Sequence, residues 1–268
     1  MSASPAIPAE PLVRHQRDAR GVHRLTLNQP KSFNVLSEAM LAELQRLLDQ
    51  IGADPAARAV VIGAEGKAFC AGHDLKEMRA HAGDQTWQAR LFDACNRLMV
   101  RMTRIPQPII ARVHGIATAA GCQLVSMCDL AFAADTASFA LPGVNIGVFC
   151  STPAVGVARN IGRKRAMEML LTGEMFTAAQ AEQWGLINRA VPVAQLDELI
   201  SQFAAHIAAR SRTVVALGKK TFYEQLDMGL DRAYELAGGT MACNLNLPDA
   251  AEGIDAFLQK RAPQWPGA

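Results

Sequence analysis

The chain has 268 residues, 50% hydrophobic and 19% charged, with a formal net charge of +2, proportions ordinary for a globular protein. With no basic run and no aromatic–basic interleaving there is no case for nucleic acid, and no apolar stretch is long enough to span a bilayer. The six cysteines, Cys70, Cys95, Cys122, Cys128, Cys150 and Cys243, lack CxxC pairing and metal-type spacing, so they read as reduced thiols and no metal is expected.

Residues 1–12 contain Pro and Ala but no hydrophobic segment and no arginine. They read as a disordered lead-in without a secretory or transit signal, and the protein is expected in the cytoplasm. Val22 to Leu27 alternates as a strand does, and Asn28-Gln29-Pro30 ends it. A loop from Lys31 to Val35 follows, then Ser37 as the N-cap of a helix with Met40, Leu41, Leu44, Leu47 and Leu48 at helical spacing. Ala59-Val60-Val61-Ile62 predicts a buried strand running into Gly66–Met78, GKAFCAGHDLKEM, where a small-residue turn is followed by Asp74 as the cap of a helix starting at Leu75. Trp87, Leu91, Phe92, Cys95, Leu98 and Met99 mark one face of a long helix between Asp84 and Arg104, broken by Pro106 and Pro108. Ile109–Val113 predicts a strand, Gly121–Cys128 a short helix, and Asp129–Ala134 and Ala137–Leu141 further strands, the last stopped by Pro142-Gly143. From about Ala194 onward only helical patterns remain, which suggests an appendage suited to subunit contact.

Two segments share one design. Cys70-Ala71-Gly72-His73 and Thr118-Ala119-Ala120-Gly121 each lead from an apolar strand through small residues into a helix. Such turns leave backbone N–H groups facing outward at a helix start, and one from each turn would together hold a carbonyl oxygen as it becomes negative.

KAFCAGHDLKEM, LTLNQPKSFNVLS and AAGCQLVSMCDLAFAA, together with GRKRAMEMLLTGEMFTAAQAEQWGLINRAVP and EGIDAFLQKRAPQW, closely resemble the crotonase superfamily, the enoyl-CoA hydratase/isomerase proteins. The resemblance covers nearly the whole chain after about residue 12. It implies an α/β fold: a crotonase-like spiral of ββα units over 13–193 carrying an acyl-CoA site, then a helical oligomerisation region over 194–268 that builds homo-trimers or dimers of trimers. It implies an acyl-CoA thioester as ligand, with coenzyme A as part of the substrate and no tightly bound cofactor.

Carried over residue by residue, the resemblance assigns the oxyanion hole to the backbone N–H groups of His73 and Ala120. It assigns the CoA moiety to Lys31, Val35, Lys67, Ala71, Asp74 and Lys76, lysines for phosphates and the backbone near Ala71 for adenine, with Lys219, Lys220 and Lys260 as added charge. The family's two catalytic glutamates fall on Gln123 and Gly143. Gln can hold a water but can neither take nor give its proton, and Gly can do neither. Among substitutes, His73 has a usable imidazole whose side chain is expected to turn away from the thioester. Cys150 lines the acyl pocket as a neutral thiol, Asp129 pairs locally and His114 is structural. Bicarbonate serving as the base, as in naphthoate synthases with Gly at the second position, is a further option, although Leu141 and Pro142 lack groups to hold the anion. The expectation is thioester binding with hydration weak or absent. The alternatives are a non-catalytic acyl-CoA binder, or another enolate-type reaction such as isomerisation, thioester hydrolysis or C–C bond chemistry.

Overall fold

The computed structural model describes residues 10–266. The strands are β1 (Val13–Arg17), β2 (Val22–Leu27), β3 (Ala59–Ala64), β4 (Ala68–Cys70), β5 (Ile109–Val113), β6 (Ile116–Thr118), β7 (Leu130–Ala134), β8 (Ser138–Ala140), β9 (Phe176–Thr177) and β10 (Arg189–Val191). The helices are α1 (Glu38–Ala53), α2 (Leu75–Ala80), α3 (Gln85–Arg104), α4 (Ala120–Ser126), α5 (Ser151–Asn160), α6 (Arg163–Thr172), α7 (Ala178–Trp184), α8 (Val193–Ala208), α9 (Arg212–Gln225), α10 (Leu230–Leu245) and α11 (Pro248–Leu258).

Six strands form one sheet in the order β1-β2-β3-β5-β7-β10, and four form a second in the order β4-β6-β8-β9. Among the described residues only the outer pairs β1–β2 and β8–β9 are antiparallel. Successive strands alternate between sheets: β3, β5 and β7 lie in the first and β4, β6 and β8, which directly follow them, in the second. Each strand pair thus places one strand in each layer before the chain turns away, which is the expected spiral of ββα units.

Period-two alternation sorts the side chains. Val60 and Ile62 of β3 enter the main core with Leu44, Leu48 and Leu98, whereas Ala59 and Val61 face a second cluster on the outer side of the sheet. That outer cluster is closed by Leu196, Ile200 and Ala204 of α8, with Phe203 packed 4.5 Å from Phe132. Helix α8 thus covers the sheet, and the more exposed helices begin with α9. Neither α9 nor α10 buries a residue in one chain, and Phe222, Leu230, Tyr234, Phe257 and Leu258 are exposed.

Of the expected lead-in, residues 1–9 lie outside the described residues. Glu10 to Leu12 are held in place: the Asn28 amide donates to Glu10 and to the Pro11 carbonyl, and Asn28 N–H to the Leu12 carbonyl. Five of the six cysteines are buried and unbridged, and Cys243 is exposed.

Candidate acyl-thioester site

The first turn leaves β4 at Cys70 and passes Gly72 at φ +97°, a region open to glycine at little cost. It enters α2, where Asp74 Oδ1 accepts from Lys76 N–H at 2.8 Å and Glu77 N–H at 3.3 Å. The second turn leaves β6, and Ala119 turns the chain at φ +50°, ψ −121° before α4 starts at Ala120. An L residue held there carries a strain of about 1–3 kcal/mol. The unusual backbone falls on Ala119, and Ala120 is helical.

Two glycines press these turns together. A Cβ on Gly121 would sit 2.1 Å from the Cys70 carbonyl oxygen, and one on Gly72 would sit 2.9 Å from Ala119 Cβ and 3.3 Å from Ala120 N. The Thr118 hydroxyl donates to the Ala71 carbonyl at 3.2 Å and ties the turns across the gap. As the first residue of α4, Ala120 has no intrahelical acceptor for its N–H. His73 pairs with Leu36 as a parallel bridge in which Leu36 N–H donates to the Gly72 carbonyl, so its own N–H is outside that bond. Two backbone donors on adjacent turns therefore have no acceptor among the described residues.

The loop before α1 braces the first turn. Phe33 and Asn34 both adopt φ +54°, and the fully buried Asn34 amide donates to the Glu65 and Ala68 carbonyls while its oxygen accepts from Gln29 N–H. Asn34 was missed in the sequence. Its signal is an Asn in a Pro-containing loop, where left-handed backbone is tolerated. His114 Nε2 bonds the Gly66 carbonyl at 2.8 Å, consistent with the structural role expected of it.

The residues assigned to CoA fall into two groups. Lys31, Lys67 and Lys76 are exposed, make no ion pair among the described residues and sit on segments that meet at Pro30–Gly66 and Phe33–Ala71. Val35 lies half-buried between them. The Ala71 N–H is given to the Phe33 carbonyl at 3.0 Å. The Asp74 carboxylate serves as a helix cap. Lys219 is a plain correction: its ammonium is buried and held by the Met102 and Gln107 carbonyls at 2.9 Å and by Asp129 at 2.7 Å, so it is no phosphate ligand in this chain. Asp129 likewise pairs at long range, with Lys219, Tyr223 and Ile109 N–H, because α9 folds back over the start of β5. Lys220 is exposed, 3.9 Å from Glu224, and Lys260 is exposed with φ +53°.

At the acid–base positions, Gln123 is 3% exposed, and its Oε1 is buried without a partner among the described residues. Helical side chains lean toward the N-terminus, which lays Gln123 over the Ala119–Ala120 turn. Gly143 has no room for a side chain: a Cβ would meet the Val148 carbonyl oxygen at 2.3 Å and Cys150 Sγ at 2.8 Å. Cys150 fills that space, and burial pushes its thiol up, partly offset by Gly143 N–H. Its neighbour Cys122 is pushed up to about 12 by burial, so both are neutral thiols near pH 7. The His73 ring donates from Nδ1 to the Leu36 carbonyl at 3.1 Å, packs edge-on to Phe92, and leaves Nε2 buried without a partner among the described residues. Burial holds this imidazole below its usual range, with the Leu36 carbonyl opposing in part. In the two turns the one carboxylate is the helix-capping Asp74.

A sequence profile described as enoyl-CoA hydratase/isomerase matches residues 17–268. The chain belongs to the enoyl-CoA hydratase/isomerase family. It is 47% identical over 265 residues to the rat enoyl-CoA hydratase domain-containing protein 3, mitochondrial, covering 98% of this chain and 88% of that protein. Among solved structures, an enoyl-CoA hydratase from Mycobacterium smegmatis superposes with a TM-score of 0.94 at 54% identity, covering 96% of this chain and 99% of that one. The human enoyl Coenzyme A hydratase domain-containing protein 3 superposes at 0.92 with 46% identity, covering 95% and 100%. The crotonase-superfamily reading and its α/β fold stand on these matches. The cytoplasmic expectation does not: the similar rat, mouse and human proteins are all named mitochondrial. Reduced thiols and a near-neutral charge do not distinguish one reducing compartment from another.

Proposed function

We propose that this family member binds an acyl-CoA thioester with its carbonyl oxygen between the N–H groups of His73 and Ala120, and that it adds water to enoyl-CoA weakly or not at all. The observation that carries this is the contact of the two turns at Gly72 and Gly121, which keeps both donors at one place. Lys31, Lys67 and Lys76 supply cations for the CoA phosphates around the first turn. The weak hydration follows from the chemistry at Gln123 and Gly143. Oxyanion stabilisation by one donor is worth about 3–4 kcal/mol, but general acid–base groups add roughly 10²–10⁴-fold each, and neither position ionises.

The exposed apolar face of α9–α11 supports assembly into trimers or pairs of trimers, as crotonase folds use that region. An intact hole without a carboxylate also suits an enolate-forming reaction that needs no positioned water. The deciding experiment measures three things on one preparation: loss of crotonyl-CoA absorbance, acyl-CoA-dependent thermal stabilisation, and deuterium exchange at the α-carbon of butyryl-CoA. Stabilisation without hydration supports the reading, and exchange in addition identifies enolate chemistry. Fast hydration by the wild-type protein, or no response to acyl-CoA at all, refutes it.

A further inference from the structure

Asn34 stands at the joint between the segments assigned to CoA and the turn that carries His73. It is fully buried and adopts φ +54°, a conformation Asn tolerates better than most residues, and Phe33 before it does the same. Both N–H groups of its amide and its oxygen are bonded to backbone of three segments. Nδ2 donates to the Glu65 carbonyl at 2.8 Å and the Ala68 carbonyl at 2.9 Å, and Oδ1 accepts from Gln29 N–H at 2.8 Å. These partners fix which way the amide faces, because a carbonyl only accepts and an N–H only donates.

The bonds straddle two of the lysines. Glu65 and Ala68 flank Gly66-Lys67, so the Asn34 amide clasps the turn that carries Lys67. Gln29 precedes the 3₁₀ turn Pro30–Ser32 that carries Lys31, and Asn34 N–H returns to the Gln29 carbonyl at 3.0 Å to close that loop. Beyond Asn34 the chain runs along the first turn of the site. The Phe33 carbonyl accepts from Ala71 N–H at 3.0 Å, Leu36 N–H donates to the Gly72 carbonyl at 2.7 Å, and the Leu36 carbonyl accepts from His73 Nδ1 at 3.1 Å. The backbone N–H of His73 is thus placed by a loop whose own position is set at Asn34. Buried polar groups matched in this way rigidify the segments they join.

We propose that Asn34 is a positioning residue for the thioester site. By holding the Lys31 loop and the Lys67 turn against the 71–73 turn, it sets the grip on CoA and the direction of the His73 N–H together. This rests on the reading of His73 and Ala120 as donors to the thioester oxygen. Fully buried, Asn34 acts through residues 33–36 rather than by touching the ligand.

Asn34→Gly tests this, since glycine keeps the left-handed backbone and removes the three side-chain bonds. Two quantities are read on the full chain: calorimetric affinity for free coenzyme A, and the fall in the infrared carbonyl stretch of ¹³C-labelled butyryl-CoA on binding. In the variant the affinity should drop about tenfold, the worth of one charge-assisted contact, and most of the carbonyl fall should be lost. Leu48→Ala, a core truncation further along α1, should lower the melting temperature and leave both quantities as in the wild type. A carbonyl stretch that falls as far in Asn34→Gly as in the wild type overturns the positioning role and leaves the oxyanion-hole reading intact. No fall in the wild-type protein removes that reading, and this inference with it. Loss of the carbonyl fall at unchanged coenzyme A affinity also overturns the proposal, because grip and hole would then be set separately. Equal losses in Leu48→Ala overturn it as well, because the effect would be general destabilisation. Should Asn34→Gly fail to fold, Asn34→Asp keeps the side-chain shape and the acceptor for Gln29, lacks both donors, and is read in the same way.

Discussion

Gly121→Ala is the sharpest probe of the thioester site, because its effect is worked from one distance. Gly121 is helical, so an alanine there meets no backbone strain and the whole effect is steric. The new methyl would start 2.1 Å from the Cys70 carbonyl oxygen and 2.7 Å from its carbon, against about 3.4 Å for an ordinary contact. The first and second turns must part by more than about 1 Å, and a misplacement of that size costs on the order of 10²-fold in an oriented reaction. Losing one oxyanion donor is worth about 10²–10³-fold. Overpacking a tight contact adds about 1–3 kcal/mol of lost stability. The hole can be read without turnover: the infrared carbonyl stretch of ¹³C-labelled butyryl-CoA should fall on binding to the wild-type protein and return toward its solution value in the variant. Free coenzyme A should bind both proteins equally, since its phosphates are held elsewhere. A variant that folds and leaves the bound carbonyl stretch unchanged refutes the assignment of the two N–H groups.

Lys219→Met should destabilise the protein by about 3–5 kcal/mol, because it leaves the buried Asp129 carboxylate without its cation while Tyr223 and Ile109 still face it. Urea unfolding measures this, and a change under 1 kcal/mol would deny the ion pair its role in seating α9. Gln123→Glu should raise crotonyl-CoA hydration, whereas Gly143→Glu should lower the melting temperature without gain, its Cβ being 2.3 Å from the Val148 carbonyl oxygen. Hydration restored by Gly143→Glu alone would show that the 142–150 segment yields more easily than its packing implies. Stability should fall from pH 7.5 to pH 5. Burial is the largest cause holding His15, His23, His73 and His114 below the usual imidazole range. The unfolded chain then binds more protons, so stability is complete above about pH 6.5 and is lost as pH falls through the folded values. Urea midpoints that stay level across that window would contradict it.

Much of the scaffold was legible from local chemistry. Ser37 and Asp74 cap α1 and α2 where the side-chain pattern put them, because a cap and the first turn are neighbours in sequence. The wholly apolar run in β3 announced a strand buried on both faces. The three-residue strands β4 and β6 were absorbed into the turns they precede, since so short a run carries no period. Helix α8 was assigned to the appendage because nothing in its pattern says which surface receives Leu196, Ile200 and Ala204.

The order of small residues around Gly72 and Gly121, and the non-ionisable side chains at Gln123 and Gly143, belong to the sequence alone, since they are matters of residue type. Which groups are taken and which are free was decided by the tertiary structure. Lys219 looked like a surface cation and is buried on Asp129, 90 positions away. Ala71 looked like an open edge and is bonded to Phe33. Residue type sets what a group can do, whereas its partner is fixed by contacts between distant segments, which no local pattern encodes.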